Sequence, residues 1–236
     1  MRQRLITLAL AGMFSAVSGT TSAQTQHVDV ALVLALDASG SIDGNRWKLQ
    51  IEGYIKTFRD KDVVARIKSG PHQRIAVTMV HWSGANEQRQ VIPWMILKND
   101  ADAEAFATAI EKTERIFKGH TSVGSALMFS AGLLLDTRFK ALRKVIDISG
   151  DGAEDSGIPA MIARDLVVAQ GITINGLPIL GYEADVELYY EQNVIGGPGA
   201  FMVVAKSFEE LANAIRIKLL SEMTNLESPR YALLGD

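Results

Sequence analysis

Three short segments, far apart in the chain, gather small oxygen-bearing side chains where apolar runs end. They are Asp37-Ala38-Ser39-Gly40-Ser41, Thr121-Ser122-Val123-Gly124-Ser125-Ala126-Leu127 and Ser149-Gly150-Asp151-Gly152. Brought together, Asp37, Ser39, Ser41, Thr121 and Asp151 offer two carboxylates and three hydroxyls. Hard oxygen donors of this kind suit a divalent cation, Mg²⁺ first, with Mn²⁺ or Ca²⁺ as substitutes. Ser39 and Ser41 lie two apart, so in an extended loop both hydroxyls point to one side. Neutral hydroxyls hold such an ion without quenching its charge. Taken singly, these residue types are ordinary cap and turn formers. Their recurrence at three strand ends is what favours a site.

Other candidate groups read more simply. His120 adjoins Thr121, but no further His or Cys completes a transition-metal set. Asp147, between Ile146 and Ile148, requires a hydrogen-bonding partner and fits a structural role better than metal contact. Glu154 and Asp155 are either part of a binding rim or solvated charges, and Asp43 suits a helix start better than a second cation. His81 and Trp82 fit core packing better than a rim contact. Gly196-Gly197-Pro198-Gly199 lacks the strand–loop–helix context of a phosphate loop and is expected to be a turn. No Ser–His–Asp or paired-carboxylate arrangement supports catalysis. A Mg²⁺-dependent hydrolase with Asp37 as nucleophile is the enzymatic alternative, although Ser39 stands where phosphatases of that type carry a second Asp.

The elements that must position these residues follow from hydrophobic period. Val28 to Leu36, Arg74 to Trp82, Val91 to Leu97, Lys144 to Ser149, Ile172 to Leu180 and Ala200 to Ala205 read as strands. Trp47, Ile51, Tyr54, Ile55 and Phe58 recur at helical spacing. Further helices are expected over Ala101 to Phe117, Ser122 to Leu135, Pro159 to Gln170 and Glu183 to Gln192. A final helix is expected from Ser207, with Ser207 and Glu210 as a capping box and Phe208, Leu211, Ile215 and Leu219 as its buried face. Ser83-Gly84-Ala85-Asn86 makes a short turn, so the second and third strands should be antiparallel, and Pro93 places the third at an edge. The alternation predicts one α/β domain, doubly wound, with a mostly parallel central sheet, one antiparallel edge strand and helices on both faces. Ligands of such sheets bind outside the carboxyl ends of the strands, where the strand order reverses, and the three segments converge there.

The chain has 236 residues and a formal charge of −3. Met1-Arg2-Gln3-Arg4, the uncharged Leu5 to Val17 and the small residues Thr21-Ser22-Ala23 resemble a secretory signal, residues 1–23. The apolar run is shorter than the roughly 20 residues of a spanning helix. The expected domain is 24–225, followed by a short polar tail over 226–236. Removing Arg2 and Arg4 leaves 22 basic and 27 acidic residues, about −5, which with no basic cluster argues against nucleic acid. The mature protein is expected to be periplasmic or secreted, without a membrane span. The absence of cysteine excludes disulfides, thiolate metal sites and cysteine nucleophiles.

On these residues the chain resembles the von Willebrand factor A family, also called integrin I-type. The pattern Asp-x-Ser-x-Ser, then Thr, then Asp is that family's metal-ion-dependent adhesion site (MIDAS), met here by Asp37, Ser39, Ser41, Thr121 and Asp151. Thr121-x-x-Gly124-x-Ala126-Leu127 and Asp151-Gly152 look like its second and third loops, and the resemblance extends over about Val28 to Met223. It implies a Rossmann-like fold with Ser39, Ser41 and Thr121 in or near the ion's coordination shell, and Asp37 and Asp151 often acting through water. It also implies a non-enzymatic interaction module whose ion takes an Asp or Glu carboxylate from a protein partner. A scaffold with a purely structural ion is the third reading. In family members that switch, carboxylate capture moves the C-terminal helix; a fixed helix is the alternative.

Overall fold

β1 (Gln26–Asp37) shows how this sequence builds its sheet. Side chains of a strand alternate between faces. Val30, Leu32, Leu34 and Leu36 enter one core, while Ala31, Val33 and Ala35 enter the other. Burial on both faces is the signature of a central parallel strand. The small residues on the second face let a helix approach closely. The computed structural model describes residues 26–223 and 231–232, so the expected signal segment lies outside the described residues.

After β1 come α1 (Gly44–Phe58), α2 (Lys61–Ile67), β2 (Ile75–Trp82), β3 (Gln88–Leu97), α3 (Asp100–Glu111), α4 (Val123–Leu135) and β4 (Phe139–Gly150). They are followed by α5 (Ala160–Val168), β5 (Ile172–Pro178), α6 (Val186–Tyr189), β6 (Met202–Val203), α7 (Leu211–Glu222) and the two-residue β7 (Tyr231–Ala232). The sheet order is β3-β2-β1-β4-β5-β6-β7. β2 and β3 are antiparallel and the other pairs are parallel. β3 is the edge strand, with Pro93 exposed, as its sequence predicts.

One core holds side chains of α1, α2, α3 and α7, and the other those of α4, α5 and α6. α1 and α7 approach closely at Gly53, where a Cβ would lie 2.9 Å from Ile215 Cδ1 and 3.2 Å from Ala212 Cα. Phe208, Leu211, Ile215 and Leu219 are buried as expected. Each such burial contributes roughly 1.5–3 kcal/mol.

Four local expectations are corrected. α3 ends at Glu111, not near Phe117, and the following segment crosses the sheet rim as irregular chain. There Arg115 donates to the carbonyls of Ala38 and Ser39, contacts a continued helix would forgo. α7 starts at Leu211, with Glu210 at its N-cap position and no side-chain cap hydrogen bond, so Ser207 and Glu210 form no capping box. The helix expected from Glu183 begins at Val186, after Asp185 turns through a positive φ of 62°. It widens over Tyr190–Val194 into a π-turn. Within the expected polar tail, Tyr231–Ala232 pairs with β6.

Candidate metal centre

β1 and β4 are hydrogen-bonded neighbours, and the chain winds outward in opposite directions from them. Their carboxyl ends therefore open the crevice in which such folds bind ligands. Asp37 closes β1, and Asp151 directly follows β4. Both are fully buried, Ser39 is buried, and Ser41 and Thr121 are half-buried.

Hydrogen bonds bring the first and third segments together. The Ser39 amide donates to Asp37 Oδ1 at 2.7 Å, and the Ser39 and Ser41 hydroxyls lie 3.1 Å apart. Ser41 Oγ donates to Asp151 Oδ1 at 2.6 Å. Asp37 Oδ2 is buried with no hydrogen-bond partner. Burial, then the Asp151 charge, pushes the Asp37 carboxyl up to about 7. Asp151 is also raised, first by its own burial, while Ser41 and Arg46 oppose the shift.

Thr121 is placed by its backbone. Its amide donates to Asp155 Oδ1 at 2.9 Å, and its carbonyl accepts from the amides of Asp155 and Ser156 at 3.0 and 3.2 Å. Ser122 caps α4 and donates its amide to the Ser83 carbonyl at 2.9 Å, joining this turn to the end of β2. Gly124 is required, since a Cβ there would lie 2.0 Å from the Ile158 carbonyl oxygen. Above the cluster lies an open cleft of about 430 Å³, lined by Ser41, Lys118, His120, Thr121, Asp155 and Glu183 among others.

Asp43, His81, Trp82, Asp147 and the glycine turn fall where they were expected, whereas Glu154 and Asp155 are hydrogen-bonded into loops and are not merely solvated. Asp43 caps α1, accepting from the amides of Asn45 and Arg46 at 2.9 and 2.8 Å. His81 is buried edge-on to Trp47, and burial lowers its imidazole to about 4. Trp82 is buried in the α4 core. Asp147 is buried beside Lys218 at 2.8 Å, away from the cluster. Asp155 and Glu154 hold loops in place, Asp155 through Thr121 and His120 and Glu154 through the Ala160 amide. Gly196 to Gly199 forms a turn, with positive φ at Gly197 and Gly199.

Sequence reasoning missed the residues that support the cluster. Gln50 is buried, donates to the Asp37 carbonyl at 3.0 Å and accepts from Ser149 Oγ at 3.3 Å, linking the ends of β1 and β4. Arg46 Nη1 lies 3.4 Å from Asp151 Oδ2 and donates to the Ser41 carbonyl at 3.0 Å. A base in the first turn of a helix opposes the macrodipole, and that anomaly was the available signal for Arg46. Arg115 had none, because it lies in the segment read as a continuing helix.

The sheet order, the single antiparallel pair and the helices on both faces are those of a von Willebrand factor A domain. The chain belongs to the family described as "Protein of unknown function (DUF1194)", whose model matches residues 27–227. A search of curated proteins finds no match. Among solved structures it is similar to proximal thread matrix protein 1 from the mussel byssus "with zinc occupied MIDAS motif". That match has a TM-score of 0.61 at 16% identity and covers 83% of this chain and 48% of that one. It is similar also to a von Willebrand factor type A protein from Catenulispora acidiphila, with a TM-score of 0.58 at 18% identity, covering 84% and 43%. The vWF domain of the type V pili tip protein Mfa5 from Porphyromonas gingivalis matches with a TM-score of 0.55 at 12% identity, covering 81% and 96%. The chain spans about half the length of the mussel protein. At such identities the likeness establishes the fold.

Proposed function

We propose that this protein is an exported, non-enzymatic, metal-dependent protein-binding module. Ser39, Ser41 and Thr121 would hold a Mg²⁺ ion, with Asp37 and Asp151 acting in or through its water shell. The observation that carries this reading is Asp37 Oδ2, a fully buried carboxylate oxygen without a partner in a cluster of hydroxyls beneath an open cleft. A buried acid in that state is costly unless a cation or proton answers it.

The donor set fits the ion. Ligands at adjacent corners of an octahedron with bonds of about 2.0–2.1 Å lie roughly 3 Å apart. The two serine hydroxyls, 3.1 Å apart, match adjacent corners. With Asp37 and Asp151 acting through water, the three neutral hydroxyls would leave the ion's inner shell under-neutralised, and a partner's Asp or Glu would supply the anionic ligand. A relative with a zinc-occupied MIDAS motif supports the metal reading, and one from a pilus tip supports a role in protein contacts. The basic, apolar and small-residue segments before Gln24 support export to the periplasm or cell exterior. Among the described residues no helix is long and apolar enough to cross a membrane.

The test is affinity capture from the envelope fraction of the source cells, in Mg²⁺ and in EDTA, with Asp37→Ala as control. A partner held in Mg²⁺ and lost both in EDTA and with the variant is the expected result. Equal capture in EDTA would refute the bridging ion and favour a scaffold whose ion is structural.

A further inference from the structure

Beside the candidate centre, a tyrosine is delivered by an unusual backbone. Tyr190 is fully buried and opens the π-turn, whose wide loop is closed by the Ile195 amide donating to the Tyr190 carbonyl at 3.0 Å. Single π-turns inserted into helices recur at functional sites because they re-aim one side chain. Here the ring lies across the ends of β4 and β5, in a slot made by two glycines. A Cβ on Gly176 would lie 2.8 Å from Tyr190 Cδ1. A Cβ on Gly150 would lie 2.8 Å from Tyr190 Oη and 3.0 Å from Asp37 Oδ2. The phenol oxygen and the carboxylate oxygen thus both border the space that Gly150 leaves free.

Neither oxygen has a hydrogen-bond partner, although both are buried. Two such atoms at one place each carry a desolvation cost that a hydrogen bond would offset. Packing alone does not account for the hydroxyl, since a phenylalanine fills the same slot without it.

We propose that Tyr190 is a positioning residue for Asp37, its hydroxyl orienting the carboxylate that serves the bound cation. The inference rests on the metal reading of the site. In that role the hydroxyl would donate to Asp37 Oδ2 once the cation is bound, while Oδ1 keeps the Ser39 amide. Gly150 is then needed for that approach as well as for the tight end of β4.

The experiment is titration calorimetry of the full mature protein with Mg²⁺ and with Mn²⁺ at one fixed pH, for wild type and Tyr190→Phe, with urea unfolding of each. Tyr190→Phe is expected to weaken both ions five- to twentyfold, an effect that lost packing would not produce in a folded protein. Gly150→Ala is expected to weaken binding as well, by wedging a methyl group between the two oxygens. If wild type binds Mg²⁺ and Tyr190→Phe binds it within twofold, Tyr190 is not a positioning residue and the metal site stands. If wild type binds neither ion, the metal reading fails and this inference with it. If Tyr190→Phe does not fold, 3-fluorotyrosine NMR of the wild type decides. The Tyr190 resonance is assigned by elimination, through Phe variants at Tyr54, Tyr182, Tyr189 and Tyr231. It is expected to shift as Mg²⁺ saturates the protein, and a resonance that does not move would overturn the proposal.

Discussion

Asp37 and His81 are buried ionisable residues whose shifts act on stability in opposite directions. Asp37 is raised to about 7 by burial and by Asp151, so between its ordinary value near 4 and about 7 the folded state holds the proton more tightly than the unfolded one. That contribution is complete at low pH and is lost as pH rises through 7. His81 is lowered by burial to about 4, so its contribution is present above the ordinary histidine value and lost as pH falls. The wild-type curve mixes the two, and a difference between proteins separates them. In EDTA, Asp37→Asn is expected to match wild type near pH 4 and to become more stable by roughly 2–4 kcal/mol by pH 8, each pKa unit being about 1.4 kcal/mol. A difference that stays flat with pH, read from urea midpoints, would contradict the shift. Arg46 supplies a second test. Its guanidinium sits 3.4 Å from Asp151 Oδ2, where it competes with any divalent cation. Arg46→Gln is expected to raise Mg²⁺ affinity about fivefold, the equivalent of about 1 kcal/mol of relieved repulsion in a partly solvated site. Calorimetry that shows weaker binding would mean that Arg46 supports the loop more than it repels the ion.

The order and type of the long elements were legible because their apolar period is unbroken: β1, β2, α1 and α4 match the sequence reading closely, whereas β4 begins at Phe139, ahead of the expected Lys144. The antiparallel edge was legible from a four-residue turn and one proline. What was not legible depends on distant partners. α2 is seven residues, too short to establish a period, and it is held by Val63, Val64 and Ile67. The end of α3 is set by carbonyls of the Asp37 loop that draw Arg115 away. Four of the five candidate residues stand at ends of β1 and β4 that the sequence located, and the fifth precedes α4. Gln50, Arg46 and Tyr190, which support them, carry no motif and were found only when the elements packed. Asp147 lies between these cases. Its need for a partner was legible, but Lys218, from α7, was not. Lys218 is buried 2.8 Å from Asp147 and 3.1 Å from Glu222, whose carboxylate also accepts from Asn175 Nδ2 at 2.7 Å. Lys218→Met would leave two acids sharing the interior without their cation. It is expected to lower stability by about 3–5 kcal/mol, and Lys218→Met with Asp147→Asn should recover part of that loss. A loss under 1 kcal/mol in denaturant unfolding would show that the acids are neutral in the native state.

At the scale of the whole molecule, the candidate centre and the α7 anchor sit on the same sheet and raise the question of rigidity. Binding to the folded state alone stabilises it by RT ln(1 + [L]/Kd), about 2.7 kcal/mol at a hundredfold excess over Kd. For a domain of this size, 1 kcal/mol shifts Tm by roughly 2–4 °C. Saturating Mg²⁺ is therefore expected to raise Tm by about 5–10 °C and to leave Asp37→Ala unchanged, as differential scanning fluorimetry will show. Whether that ion also moves α7 is decided by what holds the helix. Sliding it one turn along the sheet, about 5.4 Å, would pull Lys218 from Asp147 and Glu222 from Asn175. Separating one buried pair costs about 3–5 kcal/mol. Reversing a two-state population from 1:99 to 99:1 already takes about 5.5 kcal/mol of differential affinity. A single carboxylate on the ion must supply both, in addition to uncovering Leu211, Ile215 and Leu219. The expected outcome is a fixed α7: amide exchange over Leu211–Glu222 should be equal in Mg²⁺ and in EDTA once the gain in global stability is subtracted. Ile215→Ala should cost about 2–5 kcal/mol of stability without raising partner affinity. Faster exchange confined to α7 in Mg²⁺, or tighter partner binding by Ile215→Ala, would establish a switch that the buried charges do not prevent.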